Sequence, residues 1–142
     1  MFALSKRFFD LNYYADGWLA LYANRNIDFN KAIFHLFCAL AVRPEDPSTR
    51  LNLVMNMIFL EDGKFTDNSR EHMKITIFHG GPSTREQFEL SLINTDNKNQ
   101  LITEFDELFE IVKKEREDWA IRKKEILKLE KFGEIFHVEF RE

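Results

Sequence analysis

The residue pattern predicts an α+β protein, with a helical N-terminal half followed by a β-hairpin, a long amphipathic helix and a C-terminal strand. Three observations predict it. Apolar residues recur every three or four positions as far as residue 64, which is the period of helices. Near Phe65 the period falls to two, the spacing of a half-buried strand. The helical period returns at Gln100 and runs to residue 131, after which residues 135–140 alternate again.

The first helix is expected within residues 1–14, where Leu4, Phe8 and Leu11 share a stripe that Phe2 and Phe9 broaden. A second spans residues 13–24 and is ended by the polar run Asn24, Arg25 and Asn26. Asp28 or Asn30 caps a third, whose apolar face is Ile33, Leu36, Phe37 and Leu40. Pro44 stops that helix and Pro47 starts the next, since proline's fixed φ suits a first helical turn but not an interior. Leu51, Val54, Met55, Ile58 and Phe59 carry the fourth helix to Glu61, Asp62 and Gly63.

Beyond Phe65, residues 66–69 (Thr-Asp-Asn-Ser) read as a loop. Residues 74–78 are β-branched, with Ile75 and Ile77 on one side of a strand. Residues 79–84 (His-Gly-Gly-Pro-Ser-Thr) carry turn chemistry. Phe88, Leu90 and Leu92 then alternate with Gln87, Glu89 and Ser91. A rival reading makes both segments helical, with Gly80 and Gly81 as a stop and residues 83–86 as a capping box. Alternation and β-branching favour strands. In the long helix Leu101, Phe105, Leu108, Val112, Glu115, Trp119, Arg122, Ile126 and Leu129 step as a heptad seam. Its polar members, Glu115 and Arg122, place the burial in the first half. Phe132 and Gly133 end it, and Phe136, Val138 and Phe140 share a face of the closing strand. The chain is thus divided into a helical region, residues 1–64, and an α+β extension, residues 65–142, packed on it as one folding unit.

Composition narrows the function classes. Across 142 residues, 44% hydrophobic content and 15 Phe suffice for a real core. A formal charge of -4 argues against general nucleic-acid binding and against an anionic membrane surface. No stretch approaches the roughly 20 apolar residues of a membrane span, and no signal peptide fits, so a cytoplasmic protein is expected. The single cysteine, Cys38, excludes an intramolecular disulfide.

Leu19, Ala20, Ala32, Leu36, Ala39 and Pro44 fall at the spacings of a tetratricopeptide helix pair. Leu53 and Val54 restart the pattern one period of about 34 residues after Leu19 and Ala20. Residues 13–60 therefore resemble a tetratricopeptide-repeat helix pair, with Asp16 and Ala23 where that family carries large aromatics. The resemblance implies that Ala20, Ala32 and Ala39 let two helices approach, that Leu19 and Leu36 fill the space between them, and that the pair presents a groove to other proteins.

A protein-binding module or adaptor without catalysis is the function expected, with Trp18, Tyr22 and Phe29 as contacts near the helical groove. An alternative is an inhibitor of one specific protein, of immunity or anti-defence type, meeting a basic partner through Glu45, Asp46, Glu61, Asp62 and Asp67. A second alternative is a small enzyme or anion-binding protein built on residues 79–85. There Gly80 and Gly81 permit close backbone approach, Ser83 and Thr84 offer hydroxyls, and Arg85 offers a planar cation. The plainer reading of that stretch is a Gly-Pro turn, and it matches neither the Walker loop nor the dinucleotide fingerprint. His35 and Cys38, with His72 or His79, fall short of the ligand set a transition metal needs, so no metal or cofactor is expected. Glu71 beside His72 lacks a nucleophile to serve. Self-association is the last expectation. Glu115, Trp119, Arg122 and Ile126 form a stripe along the 100–131 helix that a second copy would cover in a homodimer, setting Glu115 against Arg122, unless the helix breaks near residues 116–118 and folds back on its own domain, which the balance favours slightly.

Overall fold

A computed structural model describes residues 28–93 and 95–136, with side chains through Lys128, together with residues 13, 15–17, 19 and 23. Its elements are α1 (Phe29–Val42), α2 (Pro47–Leu60), α3 (Asp67–Gly80), α4 (Ser83–Ser91) and α5 (Lys98–Phe136). Residues 13, 15–17, 19 and 23 are helical too. The chain divides into two compact units, Met1–Phe109 and Glu110–Glu142.

The first unit is built on α2. Leu51, Leu53, Val54, Met55, Asn56, Met57 and Ile58 are all buried, so the second half of this helix, residues 53–58, is covered on every side. Helices that are apolar all round belong in a core, with others packed about them. α1 covers one side, where Leu36 and Leu40 meet Leu53 and Met57, with Ile33 against them. Ala32 and Ala39, fully buried, keep the α1 backbone close. Leu36 is buried in that space, and Leu19 is 45% exposed. The Phe29 ring lies 6.0 Å from Phe59, so α1 and α2 run antiparallel.

Local chemistry sets these boundaries. The Asp28 carboxylate accepts from the Lys31 amide at 3.1 Å and caps α1. Asp46 caps α2 by accepting from the Ser48 amide, with Pro47 in the first turn.

The predicted α+β class is not what forms. Among the described residues there is no strand: the predicted hairpin is the helix pair α3 and α4, and residues 135 and 136 of the predicted closing strand belong to α5. Residues 137–140 of that strand lie outside the described residues. Three physical reasons account for the hairpin. First, residues 66–69 are a helix start and not a loop: the Thr66 hydroxyl accepts from the Ser69 amide at 3.1 Å while the Ser69 hydroxyl accepts from the Thr66 amide at 2.8 Å. That reciprocal box satisfies two amides of the first turn. Second, Gly81 takes φ 66°, ψ -154°, a conformation open essentially to glycine alone, and its amide closes α3 on the Ile77 carbonyl. Third, the apolar spacing fits a helix better than a strand. Ile77 is buried but Ile75 is exposed, and Phe88 and Leu92 are buried but Leu90 is 60% exposed. Positions 88 and 92 are one helical turn apart and satisfy both periods, and Leu90 decides between them. Ser83 opens α4 without capping it, since its hydroxyl donates to the Gly80 carbonyl.

The opening turns of α5 complete the first unit. Leu101, Phe105 and Leu108 are buried, and Phe105 stacks on Phe88 at 5.2 Å, which in turn lies 6.0 Å from Phe65. Arg70 of α3 donates to Glu104 at 3.1 Å. In the second unit, which begins at Glu110, the described residues form helix throughout. There Ile111, Trp119, Ile121, Ile126 and Leu127 are exposed, so the seam predicted in the sequence is buried in its first half and open in its second. No helix among the described residues is long and apolar enough to cross a membrane.

Candidate functional site

Two polar clusters flank the start of α2. In the first, the Asp46 carboxylate accepts from the Tyr13 hydroxyl, from Thr49 Oγ1 at 2.9 Å and from the Ser48 amide. Tyr13 Oη and Thr49 Oγ1 are themselves 2.8 Å apart, and the Arg43 guanidinium lies 4.4 Å above the Tyr13 ring. Burial alone would raise the Asp46 carboxyl, but the donors outweigh it and hold it below its ordinary value. Burial, and then the bond to Asp46, push the Tyr13 phenol up. This cluster ties Tyr13 to the joint between α1 and α2, and its polar groups face one another.

The second cluster is centred on Arg50, in the first turn of α2. Its Nη1 donates to His72 Nδ1 of α3 at 2.9 Å, and its Nη2 donates to the Pro44 carbonyl at 3.0 Å. Guanidinium has no acceptor, so His72 takes the hydrogen bond at Nδ1 and, when neutral, carries its proton on Nε2. Burial lowers both groups, and the facing Arg50 charge lowers His72 further against a smaller upward pull from Glu71. Arg50 Nε is buried with no hydrogen-bond partner, and among the described residues no carboxylate pairs with this guanidinium. A cation withdrawn from water is ordinarily matched by an anion.

Large side chains stand exposed on α1 and α3. Phe34 and Phe37 are one turn apart on α1, 63% and 43% exposed. Phe37 meets the His72 ring edge-on at 5.6 Å, and Ile75 follows His72 by one turn on α3, 39% exposed. Exposed apolar side chains thus stand on both α1 and α3, and His72, which meets Phe37 and accepts from Arg50, links them to a half-buried cation.

The residues singled out in the sequence are distributed otherwise. Trp18 and Tyr22 lie outside the described residues. Phe29 is half-buried against Phe59. The acidic residues do not form one face. Glu45 and Asp46 precede α2 while Glu61 and Asp62 follow it, and 14 helical residues span about 21 Å. Asp67, at the start of α3, pairs with Arg70 at 3.3 Å. Gly80, Gly81, Ser83, Thr84 and Arg85 do come together between α3 and α4, but their polar groups are engaged within the fold. Thr84 is buried, and Arg85 holds Asp106 through Nε at 2.9 Å and Nη2 at 3.3 Å. The hydrogen bond to Asp106, then its charge, raises Arg85. Glu115, Trp119 and Arg122 line a hollow of about 590 Å³ with Asp118, Ile121 and Glu125, and Ile126 is exposed beyond it. His35 pairs with Asp16 at 3.2 Å, and among the described residues no three His, Cys, Asp or Glu side chains are placed to hold a metal ion.

Sequence reasoning passed over Arg50, though a signal was present. It stands one turn before Leu53 and Val54 in a helix otherwise rich in apolar residues, where a charged side chain is out of pattern. Comparison of the chain with protein-family models, with curated proteins and with solved structures finds no match.

Proposed function

We propose that this chain is a protein-binding module whose contact surface is the α1–α3 face carrying Phe34, Phe37, His72 and Ile75. The observation that carries this reading is their exposure: three large apolar side chains stand in water although the fold has a well-filled core beneath them. Folded chains keep contiguous apolar patches small, and aromatic residues together with arginine are enriched where proteins meet. The residues belong to α1 and α3, both packed on α2, so the surface is held in place before any partner arrives and its ordering cost on binding is small.

Panning a display library of random short peptides on the immobilised chain tests the reading, with the Phe34→Ala/Phe37→Ala variant panned in parallel. Both positions are exposed, so the variant keeps its thermal melt. Enriched peptides are expected to bind the variant about tenfold more weakly or worse, the loss usual for central aromatic contacts. Equal enrichment on both proteins, or none on either, refutes the α1–α3 face as the binding surface.

A further inference from the structure

The geometry points to the chemistry of the partner: an acidic, apolar peptide segment of another protein, whose aspartate or glutamate side chain is received by Arg50 and His72 while neighbouring large side chains lie along Phe34, Phe37 and Ile75. The inference rests on the α1–α3 face being the binding surface and goes further by naming what that surface selects.

Charge sets the first requirement. Arg50 has two of its five N–H groups satisfied, by the neutral acceptors His72 Nδ1 and the Pro44 carbonyl. Neither neutralises the guanidinium, and the buried Nε proton has no acceptor. Four other cations among the described residues of this unit are paired with carboxylates. Arg70 holds Asp67 and Glu104, Arg85 holds Asp106 and Glu89, Lys74 meets Glu71 and Lys98 meets Glu89. Arg50 differs from these four in facing only neutral groups. The free protons on its Nη atoms, with the Nε2 proton of His72, are donors to a carboxylate, and a carboxylate supplies the missing negative charge.

Position sets the second requirement. Phe37 of α1 meets the His72 ring that Arg50 bonds, and Ile75 stands one turn beyond His72 on α3. Exposed apolar surface is therefore offered by α1 as well as by α3. A segment that runs past Arg50 uses both, whereas a chain terminus seated there would use one. This favours a side-chain carboxylate over a terminal one. Basic segments are excluded by the same charge.

The test uses the full chain and the random short-peptide library. Peptides enriched on the parent protein are expected to share one Asp or Glu flanked by aromatic or aliphatic residues. With the most enriched peptide, labelled for fluorescence anisotropy, changing its acid to the amide is expected to weaken binding about tenfold or more. Arg50→Gln is expected to do the same, and the two changes together are expected to cost little more than either alone, the mark of direct coupling. Arg50→Lys, which keeps the charge, retains the preference for the acidic peptide; it and the acid-to-amide peptide on the parent protein keep the test valid if Arg50→Gln melts early. Peptides without an acid, or acid-to-amide and Arg50→Gln effects that simply multiply, overturn the inference. If such peptides still lose affinity on Phe34→Ala/Phe37→Ala, the apolar surface stands and only its selectivity falls. If no peptide depends on Phe34 and Phe37, the binding surface itself is wrong.

Discussion

Two alanine substitutions two residues apart separate the helical arrangement of residues 83–91 from the alternating one. Phe88 is fully buried, with Phe105 stacked at 5.2 Å and Phe65 at 6.0 Å. Phe88→Ala removes the ring from between them and leaves a cavity against both. Substitutions of this kind cost about 3–5 kcal/mol. Leu90 is 60% exposed on the same helix, so Leu90→Ala is expected to stay within about 0.5 kcal/mol of the parent. In a strand the two side chains would share a face and both would be costly. Urea unfolding followed by circular dichroism at the helical minimum reads both values. At roughly 4 °C per kcal/mol for a chain of this size, Phe88→Ala should also lower Tm by about 12–20 °C. Comparable losses for the two variants, or a Phe88→Ala cost below about 1.5 kcal/mol, would refute the packing argument.

Two further perturbations follow from the caps and the ionisable groups. Thr66→Ala removes one half of the reciprocal box that starts α3 and is expected to lower unfolding free energy by about 0.5–2 kcal/mol, read as a lower urea midpoint. An unchanged midpoint would mean that residues 66–69 do not nucleate this helix. His72 is held below its ordinary value of 6.5 by burial and by Arg50, with Glu71 pulling the other way, so the unfolded chain binds its proton more readily. Its contribution to stability is therefore present above about pH 6.5 and is lost as pH falls through the folded value. The difference in unfolding free energy between the parent and His72→Gln should shrink from pH 7.5 toward about pH 5, and a constant difference would refute it.

How far the fold was legible depends on whether a residue pattern had one meaning or two. Pro47 has one meaning, and α2 starts on it, while of the two candidate caps Asp28 and Asn30 it is Asp28 that starts α1. The first half of the seam, through Leu101, Phe105 and Leu108, is buried as its spacing requires. Thr66-Asp67-Asn68-Ser69 has two meanings, since short polar side chains that favour loops also cap helices by the same hydrogen bonds. Phe88, Leu90 and Leu92 likewise satisfy a period of two, and also a helical turn if Leu90 is allowed to face water. The tie is broken by neighbours that no local pattern names: Phe105 lies seventeen positions beyond Phe88, yet its ring supplies the surface that Phe88 covers. The candidate site was hidden for a related reason. A single arginine in an apolar helix carries no motif, and its importance appears only when α3 brings a neutral histidine, and no carboxylate, against it.

That absence of a carboxylate bears on what Arg50 is for. α2 already buries Leu51, Leu53, Val54, Met55, Met57 and Ile58, so its place in the fold does not depend on one arginine. Arg50 instead adds the desolvation of a guanidinium and a buried N–H without an acceptor, a penalty of about 1–3 kcal/mol for such a donor. Arg50→Met replaces it with a flexible apolar chain of similar length. The Pro44 carbonyl is exposed and His72 is partly so, and both can turn to solvent. Stability is therefore expected to rise by about 1 kcal/mol in urea unfolding, as happens when buried polar groups give way to well-packed apolar ones. Affinity for an acidic, apolar peptide is expected to fall in the same variant. Opposite movements of the two quantities mark a residue kept for recognition at a cost to the fold. A structural arginine would move them together, so a loss of more than about 1 kcal/mol on Arg50→Met would assign the residue to the core and remove the reason for placing a ligand beside it.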